Sequence, residues 1–208
     1  MTLPFTSNTA SISIGRTDIL AQVMPMAQHG TCIPALARRG VCHQRMLDLA
    51  VSWYIPAGSG HGHAPVTHRM LAANGLSTGE VNEAASRNMW NSYTITELPD
   101  LLNCLDSHRR YGLMGLEMYV ATARTHLYGA GLVASPHSLR HIAGHLGSFF
   151  LLPTSIHEFC IVPSLSRTTI YELYQTVCEI NVKYTPAGEQ LSDNVYIVDE
   201  KGRVESYL

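Results

Sequence analysis

The run FFLLPTSIHEFCIVP at 149–163 constrains the fold more than any other segment. Two short apolar stretches flank a largely polar joint, so the segment reads as two strands, FFLLP and EFCIVP, joined by a turn that carries Ser155, His157 and Glu158. The same grammar occurs earlier. LAVSWYIPA reads as a strand, GSGHGH as a turn, and APVTHRMLA as the return strand of a hairpin. A helix is expected after each hairpin. Ser77 with Glu80 and Thr169 with Glu172 have the spacing of capping boxes, in which two side chains satisfy free backbone donors at a helix start. Val81, Ala84, Ala85 and Met89 then recur at helical spacing, as do Ile170, Leu173, Tyr174, Val177 and Cys178.

Between these units, Pro99 opens PDLLNCLDSHRRYG, a candidate brief helix, and MYVATART and GAGLVASP read as strands. Ser135 followed by Pro136 predicts another helix start, with Leu139, Ile142, Ala143 and Leu146 on one face and Gly147 at the end. NVYIVDEKGRVESY closes the chain as a hairpin about its EKG turn. Hairpins followed by helices, without regular alternation of strand and helix, predict an α+β fold. Its sheet is expected to be antiparallel or mixed, built from hairpins that are each followed by a packing helix. Residues 1–44 show no sustained period and are rich in Ser, Thr, Pro and Gly, so they are expected as an amino-terminal arm, loosely structured or else wrapped on the rest of the fold. Residues 45–208 are expected as a single domain.

Composition removes several functions. The net charge is −2 with no Lys/Arg run, which gives no electrostatic footprint for nucleic acid or anionic lipid. No stretch approaches the ~18 apolar residues of a membrane helix, and the start lacks a secretory pattern, so a soluble, cytoplasmic protein is expected. Five widely spaced cysteines, none in a CxxC pair, suggest reduced thiols and neither a disulfide framework nor a thiolate zinc site. Only 14% of residues are charged, below the roughly 25% of average domains, so a neutral surface is left for a partner or for homo-oligomer contacts.

Four segments together resemble an uncharacterised bacterial family known as domain of unknown function 5688, found among anaerobic Firmicutes. They are RMLDLAVSWYIP at 45–56, AASRNM at 84–89, GLVASPHSLRHIAGHLGSFFLLPTSIHEFCIVP at 131–163 and LSDNVYIVD at 191–199. The resemblance covers most of Arg45 to Arg203, with LPTSIHE and LSDNVY its most specific parts. It implies a bacterial setting and a domain boundary, and no activity. Members carry a longer amino-terminal portion and an acidic turn where this chain has GSGHGH.

His157 and Glu158 have the residue types of a general acid/base pair, or of a metal ligand beside a base. Adjacent residues of a strand point to opposite faces, which opposes joint action on one atom. In a tight turn, Ser155 and Glu158 would instead bond the local backbone. His137, His141 and His145 lie four residues apart on the predicted helix, within metal-binding reach of one another and opposite the apolar face. That stripe reads first as a solvated surface, since a functional metal site also needs a pocket wall and an outer shell of oriented partners. His61, His63 and His68 sit in or after a flexible glycine-rich tip. Walker and HExxH patterns are absent from the sequence, and no GxGxxG follows a strand. Cys160 lies in an apolar strand, where burial disfavours the thiolate.

The leading expectation is a non-catalytic binding or interaction protein, for a protein partner or a small ligand, with Ser155, His157 and Glu158 at the ligand site. An inhibitor or sequestering protein of a bacterium or its mobile elements fits that profile. The rival is a metal-dependent hydrolase that uses His157 and Glu158 with a helix histidine. No cofactor is implied.

Overall fold

A computed structural model describes residues 14–57, 62–97 and 117–207. It is an α+β fold with two antiparallel sheets, of four and six strands. The first sheet is organised on β3 (Leu49–Pro56), which is buried from Leu49 to Ile55. β1 (Met24–His29) pairs with β3 from Met24↔Tyr54 to His29↔Leu49. β2 (His43–Met46) and the short β4 (His63–Pro65) share the opposite edge of β3 end to end. The second sheet has the order β10-β9-β7-β8-β6-β5. It contains β5 (Tyr93–Glu97), β6 (Tyr119–Ala123), β7 (Phe149–Ser155), β8 (Glu158–Pro163), β9 (Tyr196–Val198) and β10 (Val204–Ser206).

Strand alternation divides the apolar side chains among layers. Trp53 and Ile55 turn to a cluster with Ile19 of α1 (Arg16–Gln22), Leu71 of α3 (His68–Asn74) and Val81, Ala84 and Ala85 of α4 (Thr78–Trp90). Phe150, Leu152, Cys160 and Val162 turn to Leu173 and Val177 of α6 (Ile170–Lys183). Between the sheets, Tyr54, Met26, Leu151 and Ile161 join one cluster with Leu132, and with Leu139 and Ile142 of α5 (Pro136–Leu146). A short α2 (Ile33–Arg38) seals a smaller cluster over Ala50.

The local signals hold. Both capping boxes form, Ser77 with Glu80 and Thr169 with Glu172. Backbone and side-chain donors of Ser77, then Arg16, hold the Glu80 carboxyl down to about 2. Ser135 caps α5 by accepting from the Ser138 N–H, and Gly147 ends that helix at a φ of 70°. The closing hairpin pairs Val204 with Val198.

Three expectations are corrected. Residues 16–44 are no loose arm, because β1 supplies backbone partners along β3 and buries Met24 and Met26 between the sheets. Residues 1–13 of the expected arm lie outside the described residues. The expected return strand APVTHRMLA stops at Pro65, and His68–Asn74 is helical. Thr67 accepts from the Met70 N–H to start that helix, and Gly75, at a φ of 58°, ends it. GAGLVA is a 3-10 turn over Gly129–Ala134 and not a strand. Close approach is the reason: a Cβ on Gly131 would lie 2.2 Å from the Pro25 carbonyl oxygen, and one on Gly129 2.5 Å from that of His157. The candidate helix after Pro99 and part of the GSGHGH turn lie outside the described residues.

Candidate functional site

Arg124 follows β6 at a junction of three elements. Its backbone N–H bonds the Ser92 carbonyl at 2.7 Å, which fixes it beside the end of α4 and the start of β5. Two cavities share Arg124 and Asn91. The first, about 550 Å³, is walled by Trp90, Tyr93, Ile95, Tyr119, His141 and His145. The second, about 510 Å³, is walled by Met24, Tyr54, Pro56, His63, Leu127 and Tyr128. Both volumes fall in the range of small-molecule sites, and each wall carries several aromatic or imidazole rings among smaller residues. The Arg124 side chain is exposed and carries no hydrogen bond or ion pair among the described residues.

In the second cavity Tyr54, His63 and Tyr128 form a mutual edge-to-face cluster, with centroids 5.0 to 5.6 Å apart. The Tyr128 hydroxyl lies 3.2 Å from His63 Nδ1. Burial, then Tyr128, pushes the Tyr54 hydroxyl up to about 12. Tyr128 and His126 hold φ values of 55° and 56°, uncommon for residues with a side chain. Strain of this kind persists where surrounding contacts over-determine it, and here His157 supplies one, its Nδ1 accepting the Tyr128 N–H at 3.2 Å.

Ser155, His157 and Glu158 form the predicted turn. Ser155 pairs with Glu158 in the β7–β8 register, and the Ser155 hydroxyl accepts the His157 N–H at 3.1 Å. Among the described residues His157 makes no hydrogen bond or ion pair with Glu158. Its ring lies 5.5 Å from that of Tyr128, and its Nε2 is 3.8 Å from Glu189. Burial raises the Glu158 carboxyl, with His157 and His126 offsetting part of the rise. None of the three lines either cavity; His157 supports a cavity wall through Tyr128. Cys160 is buried and its thiol is pushed up to about 12, unsuited to nucleophilic work. Cys42, 3.4 Å from His68 Nδ1, is also raised by burial.

The helix histidines separate into two groups. His141 and His145 face each other, Nε2 to Nε2, at 3.3 Å on the wall of the first cavity. His137 turns to Arg140 instead, 2.7 Å from Nδ1 to the guanidinium. So the stripe is not simply a solvated face, because Trp90 and Tyr93 pack against it. Sequence reasoning missed Arg124, Asn91, Trp90, Tyr93 and Tyr128 as cavity residues. Only the aromatic character of these segments hinted at them, since residues from four distant elements meet there.

Fold and cavities together define a layered α+β domain with a pair of clefts around a shared arginine. A family model described as a family of unknown function, DUF5688, matches residues 38–200, and the chain belongs to that family. Comparison with curated proteins and with solved structures finds no match. β1, which completes the first sheet, precedes the matched segment. Among the described residues no helix is long and apolar enough to cross a membrane.

Proposed function

We propose that this chain is a binding protein for a small organic anion, held with its charge on Arg124 and its flat apolar body against the aromatic walls. The observation that carries the reading is the guanidinium shared by two cavities of ligand size and without a partner among the described residues. A planar guanidinium gives a carboxylate, sulfonate or phosphate two parallel donors, and its strength grows in a partly dry cleft. Tyr54, Trp90, Tyr93 and Tyr128 offer faces and edges for ring stacking. A ligand-holding domain of this kind suits a sequestering role in the bacterial cytoplasm, the setting that the family resemblance suggests.

A second reading, a protein partner or a second copy of the chain, draws on exposed Leu165, Tyr171, Val182 and Tyr184 at and around α6. Light scattering after gel filtration tests the second copy directly. The hydrolase reading has less support, because His157 is engaged by Tyr128 and Glu189 and not by Glu158.

The test of the ligand reading is fluorescence titration with anilinonaphthalene sulfonate, an anionic aromatic probe. Saturable binding that weakens about tenfold or more in Arg124→Gln, with an unchanged melting temperature, supports it. Saturable binding that is indifferent to Arg124→Gln, or no saturable binding, overturns it.

A further inference from the structure

We propose that His141 and His145 form a zinc site on the wall of the first cavity, two protein ligands leaving the other positions open to the cleft. Four observations converge on this pair. The two Nε2 atoms are 3.3 Å apart. Zinc binds imidazole nitrogen at about 2.0–2.1 Å, so two ligands at a tetrahedral angle lie roughly 3.3–3.4 Å apart, which is the spacing of this pair. In the metal-free protein a single N–H···N hydrogen bond spans the same gap.

The second observation is the ring's other nitrogen. Tyr93 Oη lies 2.8 Å from His141 Nδ1, so a proton on Nδ1 is received by that hydroxyl and the Nε2 lone pair faces His145. Zinc-bound histidines characteristically have such a partner, which fixes tautomer and orientation. Third, Trp90 meets the His141 ring edge to face at 4.7 Å and 88°, which limits its rotation. Fourth, His145 stands in the last turn of α5, where the free carbonyls of the helix end favour a cation. The pocket wall and the outer partner, both required of a functional site and neither visible in the sequence, are thus supplied by α4 and β5.

Among the described residues no three His, Cys, Asp or Glu side chains gather where a metal could sit. The remaining coordination positions therefore fall to water or to an exogenous ligand, one position more than in an open site with three protein ligands. Arg124 lines the same cavity, so ion and guanidinium together would favour an anion that bridges them. The proposal goes beyond the ligand reading and does not depend on it, since its probe is the metal alone.

Untagged protein, stripped with chelator and titrated with Zn²⁺ by calorimetry, is expected to take up one ion per chain. His145→Ala and His141→Ala each weaken uptake by about tenfold or more, Tyr93→Phe weakens it by roughly tenfold, and His137→Ala leaves it unchanged. Cu²⁺ added to the wild type gives an electron paramagnetic resonance spectrum with nitrogen coupling that His145→Ala reduces. No uptake, uptake indifferent to His145→Ala, or equal loss in His137→Ala overturns the assignment. Arg124→Gln retains zinc uptake, so failure of the anion reading and failure of the metal site are told apart.

Discussion

The Tyr196 hydroxyl donates to Asp48 Oδ1 at 2.6 Å across 148 positions of sequence. Asp48 sits at the β2–β3 turn, and its Oδ2 also accepts from the Ser192 hydroxyl at 2.5 Å and from Asn194 Nδ2 at 3.0 Å. The LSDNVY segment is thereby tied to the hairpin that centres the first sheet. Burial, then the Asp48 hydrogen bond, raises the Tyr196 hydroxyl above its ordinary value. The preceding Leu47 holds a φ of 56°, a conformation that few leucines adopt.

Tyr196→Phe leaves the ring and removes one donor from a carboxylate, so stability falls by about 1.5–3 kcal/mol. Urea denaturation measures the loss. A cycle with Asp48→Asn gives less than the sum of the two single effects; strict additivity would mean that hydroxyl and carboxylate share no energy.

Gly131→Ala drives a Cβ onto the Pro25 carbonyl, backbone against backbone. It destabilises by about 2–3 kcal/mol or more, because β1 must shift to admit it. Gly144→Ala is the opposite case, since nothing lies within 4 Å of the added Cβ in α5. It stabilises by about 0.5–1 kcal/mol through helix propensity. Paired thermal melts check both signs.

His157→Ala strands the Tyr128 N–H at its strained φ. A loss of about 1–2 kcal/mol is expected. Probe binding weakens less than in Arg124→Gln, because His157 lines neither cavity. A larger binding loss with an unchanged melt would place His157 on the ligand.

Glu158 gives a pH dependence of known sign. Burial raises its folded carboxyl, so below about pH 4.3 the group is neutral in both states and carries no penalty. As pH rises through the folded value, the unfolded chain ionises more readily and stability falls. Glu158→Gln removes that fall. The variant is more stable at neutral pH and converges on the wild type in acid, as denaturant melts across pH will read. A constant difference would locate the effect outside this titration.

Much of the fold was legible because its signals are local. The helix starts at Ser77, Ser135 and Thr169 each rest on a side chain that bonds a backbone N–H about three residues on, and all three form. The β7–β8 hairpin and its Ser155–Glu158 turn follow likewise from two apolar runs about a largely polar joint. GAGLVA misled because small apolar residues mark a strand and a crowded turn equally, and only the carbonyls of Pro25 and His157 make the difference. His68–Asn74 was hidden because its cap, Thr67, lies inside an apolar stretch that also suits a strand.

The α+β class, three helix starts, two hairpins and the four-residue spacing of the helix histidines follow from local pattern along the chain. Only the packing of distant elements could bring β1 into the first sheet, set His141 between Tyr93 and His145 while His137 turns to Arg140, and place Arg124 on two clefts. The division has a physical cause. Caps and turns are closed by neighbours in the chain, whereas a cleft is closed by side chains from Met24 to His145, whose meeting depends on how whole layers pack.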